Sequence, residues 1–340
     1  MLKQMYRILF CFCCVAISWN RLNAQNVVFS MYDNAPVYLN PAKTGDFSGN
    51  WRLSSSYRSQ GYGLSEPYIS SIISFEHHFY YYSQVINIGL GYIHDNSASL
   101  SFPLNEFGAS IAQDVKISRT SFFRLGIQLC LDNRQFVLSG QTFPEQYDRN
   151  VGKYNSLLQL SENFPSTSTS YIKVNAGVSY LLNNSYHLNI GLAGRQLNRP
   201  VESFFNQQYK LGIQWLAHIS ARKDIGTDFF LKPSALYNYQ LENQITMVSL
   251  NGGIYLPKNS LLLQSINGGF MLRYGLNGQM EDFGVNVGVT VNNWMFQVNH
   301  DFNLSSQKLD MAPSTAVEFS LIYIRPSTEP RVRTISNDRF

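Results

Sequence analysis

His77 and His78 are the first residues in this chain whose types could do chemistry, since an imidazole pair can hold a metal or pass a proton. They stand at the end of a strand-like stretch. Successive strand residues face opposite sides, so the pair cannot easily share one ion. His218 and His300 are scattered singles. Cys11, Cys13 and Cys14 lie in a leader-like stretch, which leaves Cys130 alone, with no partner for an intramolecular disulfide. G-x-S-x-G, H-E-x-x-H and a phosphate loop are absent, and the mature chain has no C-x-x-C. The expectation is a protein without catalytic residues, cofactor or metal. The net charge of +4 comes without a basic run, which excludes a nucleic-acid surface. The polar chemistry left is a set of charges at alternating positions: Arg52, Arg58, Arg124, Lys173, Lys210, Lys232 and Arg273, with the acids Asp114, Asp132 and Glu318.

Those charges must be positioned by strands. In Thr120–Asp132, Phe123, Leu125, Ile127, Leu129 and Leu131 form one set and Arg124, Gly126, Gln128, Cys130 and Asp132 the other. A strand sends these sets to opposite faces. The pattern recurs in segments of about ten residues, the signature of a transmembrane β-barrel with apolar residues out and polar residues in. Glu281–Val291 is the purest example, with Phe283 and four valines against Gly284, Asn286, Gly288 and Thr290. Only 14% of the residues are charged, below the quarter or so usual in soluble domains, while 14% are aromatic. Outside the N-terminus no apolar run is long enough for a membrane helix.

Fourteen such strands can be placed between residues 49 and 325, so the predicted fold is all-β, an antiparallel barrel of about fourteen strands. An even number returns both termini to one side, expected to be periplasmic. The turns near 118–120, 183–184, 223–227, 257–259 and 292 then fall on that side. The loops at 60–66, 96–103, 133–170, 197–207 and 304–314 fall on the other, so short turns face inward and long loops outward. The Asn183-Asn184 pair reads as a two-residue hairpin turn. Tyr80 to Tyr82, Tyr237 with Tyr239, Trp294 with Phe296, and Tyr323 crowd strand ends, as an interfacial girdle would. Residues 1–24 read as a signal peptide, with Lys3 and Arg7 before an apolar core and Ala24 at the cleavage position. Residues 25–48 are turn-rich and either enter the lumen or lie along the periplasmic rim. Residues 326–340 form a polar C-terminal tail.

The stretch from Pro36 to Gly45 resembles the N-terminal signature of the PorP/SprF family, N-P-x-x-x-N-P-A-x-x-G. Asn40, Pro41, Ala42 and Gly45 match it, while Asn34-Ala35-Pro36 replaces the first N-P. Tyr57, Arg58 and Gln60 match the family's early strand ending Y-R-x-Q. His187–Leu192 and Lys232-Pro233-Ser234-Ala235-Leu236 resemble further family strands. The resemblance spans about residues 26–325. It implies an outer-membrane barrel of the type IX secretion and gliding machinery of Gram-negative bacteria. Such a barrel would bind, anchor or help secrete a large surface protein bearing a C-terminal sorting domain, with other secretion-system components and outer-membrane lipid as partners. The natural contact surfaces are the 133–170 loop and residues 26–48. The residues alone also admit a channel or hydrophobic-solute transporter. The two readings part on whether the lumen is plugged.

Overall fold

The computed structural model describes residues 28–61, 67–81, 84–96, 102–137, 143–148, 151–155, 158, 168–204, 207–257, 263–275, 278–304 and 315–327. The expected signal peptide and nearly all of the expected tail lie outside these residues.

Fourteen strands wind into one closed antiparallel barrel: β1 (Trp51–Gln60), β2 (Tyr68–Tyr81), β3 (Gln84–Asn96), β4 (Leu104–Lys116), β5 (Ser121–Gln135), β6 (Ser168–Leu182), β7 (Leu188–Arg195), β8 (Gln214–Ala221), β9 (Phe229–Gln240), β10 (Asn243–Tyr255), β11 (Leu263–Tyr274), β12 (Met280–Val291), β13 (Trp294–Asn303) and β14 (Ala316–Arg325). Each strand pairs with its sequence neighbours, and β1 closes the ring against β14, Trp51 opposite Arg325 and Gln60 opposite Ala316. A short strand, Lys223–Ile225, adds to the end of β9. Closure gives every spanning strand two partners, so its backbone groups are bonded without water. Among the described residues no helix is long and apolar enough to cross a membrane.

Alternation explains the faces. On β5 Leu125, Ile127, Leu129 and Leu131 are exposed on the outer wall, while Arg124 and Asp132 are each 1% exposed inside. The same division runs through β12, where Val285 and Val287 face out and Asn286 and Thr290 face in. An outer wall of this kind has only lipid to cover it. On β2, His77 and His78 take opposite faces, His78 buried.

The two rims differ. At one, β12 turns into β13 through Asn292-Asn293, both in left-handed conformation, the geometry a two-residue hairpin demands. At the other lie the long connections, including 136–167. The connection from β6 to β7 occupies 183–187 rather than two residues, because Tyr186 folds back so that its N–H donates to the Asn184 side chain (2.8 Å).

A second correction concerns β8. The alternation from Gln208 to Arg222 predicts one strand with Lys210 facing the lumen. Instead, Gln207–Lys210 pairs with Val201–Phe204 as a separate hairpin beyond the barrel, and Lys210 is exposed. The hairpin and β8 share one period, so the pattern runs through the break at residues 211–213 without marking it.

Residues 28–50 lie inside the barrel. Three short helical turns, Tyr32–Asn34, Pro36–Leu39 and Pro41–Lys43, pack against the inner wall. Tyr32 and Leu39 share a buried cluster with Leu216, Leu236, Met247 and Met271 of β8 to β11, and Phe29 and Ala35 share another with Ile72 and Ile93. Of the two positions open to this segment, it takes the lumen and serves as a plug.

Candidate functional site: the plugged lumen

The plug is built around Asn40. Pro41 starts a tight turn, and the Asn40 side-chain oxygen caps it by accepting from the Ala42 N–H (2.8 Å). The other end of the same amide donates to the carbonyls of Val178 on β6 and Leu192 on β7 (both 3.3 Å) and lies 3.0 Å from His218 Nε2 on β8. The wall admits this approach because it carries glycines there. A Cβ on Gly126 would overlap the Pro41 and Ala42 backbone, one on Gly177 the Asn40 amide, and one on Gly191 the His218 ring. Three adjacent strands thus present a flat seat to Asn40-Pro41-Ala42.

Charges hold the plug on either side of the seat. Past it, the Gly45 N–H donates to Glu76 (2.8 Å), whose carboxylate is clamped by two bonds from Arg52 (2.8 and 2.9 Å). Asp46 accepts from Asn189 (2.6 Å) and pairs with Arg124 (3.4 Å), which is also bonded to Asp114. The Phe47 ring lies tilted against His78 with ring centres 4.3 Å apart. Before the seat, the backbone N–H groups of Ser30 and Met31 donate to Glu318 (2.5 and 2.9 Å). The Ser30 hydroxyl donates to Asp301 (2.5 Å) and accepts from Arg58 and Arg273 (2.8 Å each). Arg58 also bonds Glu318, Asp301 (2.7 Å) and Gln60 (3.3 Å). Asp33 bridges Lys43 of the plug (3.3 Å) and Lys232 of β9 (3.2 Å), while Tyr32 donates to Ser234 (2.8 Å).

A third group lies nearer the long-loop rim. Lys173 bonds Glu106 and pairs with Asp132 (2.7 Å), Arg195 pairs with Glu106 (3.5 Å), and the Arg195 guanidinium lies over the Tyr38 ring (4.0 Å). Cys130 is buried beside it and accepts from Asn175 (3.4 Å).

On the far side of the barrel the wall carries an amide ladder. Asn286 on β12 donates to Asn251 on β10 across the intervening Gly269 (2.9 Å), and Gln297 on β13 donates to Asn267 on β11 across Gly288 (2.7 Å). A Cβ at either glycine would overlap these amides.

Of the residues singled out from sequence, Arg52, Arg58, Arg124, Lys173, Lys232, Arg273, Asp132 and Glu318 all point inward. All but Lys173 and Asp132 lie within one residue's reach of the plug, and Lys210 lies elsewhere. Asn40, Pro41, Ala42, Gly45, Arg58 and Gln60 come together at the plug, whereas Tyr57 faces outward. The sequence reading missed Asp33, Asp46, Glu76, Glu106, Arg195 and Asp301, and the glycine seat. The signal available for the two aspartates was their place flanking the N-P-A turn. Among the described residues no cluster of His, Cys, Asp or Glu is arranged to hold a metal.

A closed fourteen-strand wall, apolar outside and polar within, defines an outer-membrane β-barrel spanning the bilayer many times. The family model of type IX secretion system membrane protein PorP/SprF matches residues 22–323, and the chain belongs to that family. No curated protein matches the sequence significantly. Among solved structures, the monoaromatic hydrocarbon channel CymD superposes with a TM-score of 0.51 at 9% identity, covering 86% of this chain and 93% of CymD. The toluene transporter TbuX of Ralstonia pickettii gives 0.49 at 9% identity, covering 86% and 94%. CdiB of Acinetobacter baumannii gives 0.46 at 10%, covering 81% of this chain, which spans 60% of CdiB. At such identities the likeness to CymD concerns the fold alone.

Proposed function

We propose that the barrel is a closed, non-catalytic holding component of the type IX machinery, which binds and anchors a secreted surface protein rather than conducting solute. The observation that carries this reading is the plug. It is tied to β1, β2, β5, β7, β9 and β14 by buried polar and charged contacts, an arrangement suited to a sealed platform. In this reading the short-turn rim and the termini face the periplasm, and the long-loop rim faces out and carries the surface that meets the secreted protein's sorting domain. Further secretion-system components would dock from the periplasmic side. Co-purification from detergent-solubilised outer membrane, with and without residues 138–167, tests it. A surface protein retained by the full chain and lost from the shortened one is the expected result. Conductance of the purified barrel in a planar bilayer is the second measurement, and a large stable pore would count heavily against the reading.

The fold likeness to CymD favours a hydrophobic-solute channel as the second reading. A lumen lined by Asn251, Asn267, Asn286 and buried ion pairs is poorly suited to an apolar solute, which would gain nothing by leaving lipid for it.

A further inference from the structure

The ring of strands closes on itself, but the connection from β7 to β8 builds a sheet edge outside it. Val201–Phe204 runs beside the long-loop end of β6, where the Ser203 N–H donates to the Thr169 hydroxyl (3.3 Å). Its side chains fasten it to the rim. Glu202 pairs with Arg134 of β5 (3.1 Å) and accepts from the Tyr171 hydroxyl of β6 (3.3 Å), and the buried Phe204 ring lies 4.8 Å from that of Phe102. Gln207–Lys210 runs back antiparallel to this strand, with all four residues exposed.

The phase of this hairpin decides which backbone groups are free. The Leu211 N–H donates to the Pro200 carbonyl (3.0 Å), so Pro200 and Leu211 form a hydrogen-bonded pair. Bonded and non-bonded pairs alternate along an antiparallel ladder. Glu202–Tyr209 and Phe204–Gln207 therefore bond within the hairpin, and the N–H and C=O groups of Val201, Ser203, Gln208 and Lys210 turn away from it. On the inner strand that direction leads to β6, as the Ser203 bond shows. On the outer strand it leads off the sheet, and no described group meets the N–H or C=O of Gln208 or Lys210. The edge ends at Gly212, whose carbonyl accepts from the Gln240 side chain (3.3 Å).

Donors and acceptors alternating along a fixed strand are matched by one chemistry, another extended backbone. We propose that Gln207–Lys210 receives an extended segment of a partner polypeptide as an added strand, bonded to the N–H and C=O of Gln208 and Lys210. Side chains set its preference. Tyr209 and Lys210 face opposite sides of the edge, so the segment carries an aromatic or β-branched residue on the first side and an acidic one on the second. Lys210 guards the edge against a basic strand and favours an acidic one. A second copy of the chain fits poorly. Two barrels upright in one membrane are related by rotation about the membrane normal, which sets Lys210 of one copy against Lys210 of the other. Placing the partner here rests on reading the long-loop rim as the surface that meets the secreted protein, whereas strand addition itself is measured on the purified barrel alone.

The test is fluorescence anisotropy of the full chain in detergent with a labelled octapeptide of alternating Glu and Val. Its controls are a Lys–Val counterpart and an N-methylated Glu–Val peptide, which keeps the side chains and has no backbone N–H. The Glu–Val peptide is expected to bind and the two controls not. Gln208→Pro removes an edge N–H that no hairpin bond uses, and is expected to bind about tenfold more weakly than Gln208→Ala, which keeps that N–H. Lys210→Glu leaves the backbone alone and is expected to turn the preference toward the Lys–Val peptide. Equal affinity in Gln208→Pro and Gln208→Ala overturns the proposal, as does an N-methylated peptide that binds as tightly or a Lys210→Glu chain that still prefers Glu. Binding seen only after removal of residues 138–167 assigns the edge to the chain's own long loop, and a detergent dimer that Gln208→Pro dissociates assigns it to a second copy. Either overturns the proposal. A surface protein that co-purifies equally well with Gln208→Pro leaves the proposed function standing and removes the edge from it. Peptide binding at the edge with no co-purifying surface protein keeps the edge and removes the proposed function.

Discussion

Arg58 and Glu318 face each other across the seam where the first strand meets the last, and both also hold Ser30 of the plug. One ion pair therefore serves two joints, barrel closure and plug docking. Both side chains are almost wholly buried, and with Glu318 removed Arg58 keeps Asp301 as its acid while the Ser30 and Met31 N–H groups lose their acceptor. Glu318→Ala is expected to cost ~1–3 kcal/mol, the usual penalty for buried N–H donors left without an acceptor. The plug should be released before the barrel opens, because the backbone pairing of β1 with β14, from Trp51–Arg325 to Gln60–Ala316, does not depend on this side chain. Conductance checks this: Glu318→Ala should show openings that wild type lacks, with gel mobility still heat-modifiable. Silent variant channels would mean that the pair is not what retains the plug.

The glycine seat yields a sharper separation of plug from barrel. Gly177→Leu places a side chain where the Asn40 amide lies, while its own strand pairing is untouched. Asn40→Ala removes only the cap and its wall bonds, a loss of about 0.5–2 kcal/mol for the cap. A Thr44→Cys reporter in a Cys130→Ser background reads the outcome, since Thr44 is 0% exposed when docked. Maleimide labelling should be fast in Gly177→Leu, intermediate in Asn40→Ala and slow without either change. Equal labelling in all three would show that the seat does not hold the turn.

The amide ladder makes its own prediction. Gly269 and Gly288 leave room for amides from strands two apart to meet across them. Gly269→Ala is expected to force Asn251 and Asn286 apart and to cost ~1–3 kcal/mol, as overpacking in a filled interior does. Thermal unfolding of the two barrels in one detergent measures it, and a midpoint equal to wild type would rule the ladder out as a packing constraint.

These relationships differ in how far the sequence discloses them. Leu125, Ile127, Leu129 and Leu131 face lipid because period-two alternation leaves them no other apolar neighbour, and that is local information. Fourteen strands could be counted largely for the same reason, although residues 67–78 alternate less cleanly. Lys210 misled because the hairpin beyond the barrel continues the period of β8. Leu216, Met247 and Met271 point inward against the outside-apolar rule because Tyr32 and Leu39 of the plug supply their apolar surface. Which charges meet is less legible still. Ser30 finds Asp301, 271 residues away, and no spacing rule reaches that far. Asn40 could be picked out by motif, but its three wall partners lie on β6, β7 and β8, more than a hundred residues on, and meet it only because residues 28–50 enter the lumen.

Asp33 makes plug docking sensitive to acid. Burial alone pushes its carboxyl up, but the ammonium groups of Lys232 and Lys43 outweigh burial and hold it below the usual carboxylate range. A folded-state value below the unfolded one means the ionised form stabilises the docked plug. That contribution is complete above the unfolded value of about 4 and is lost as pH falls through the depressed one. Docking should therefore be indifferent to pH between neutrality and about 5 and should loosen only in stronger acid. Lys232→Gln removes one of the two opposing charges and should move the onset of loosening upward. Pepsin digestion between about pH 4 and pH 2, with mass spectrometry of fragments from residues 28–50, follows the release directly. Fragments appearing at the same pH in both proteins would show that the Asp33–Lys232 pair does not gate the plug, leaving Asp46 as an acid-sensitive tie.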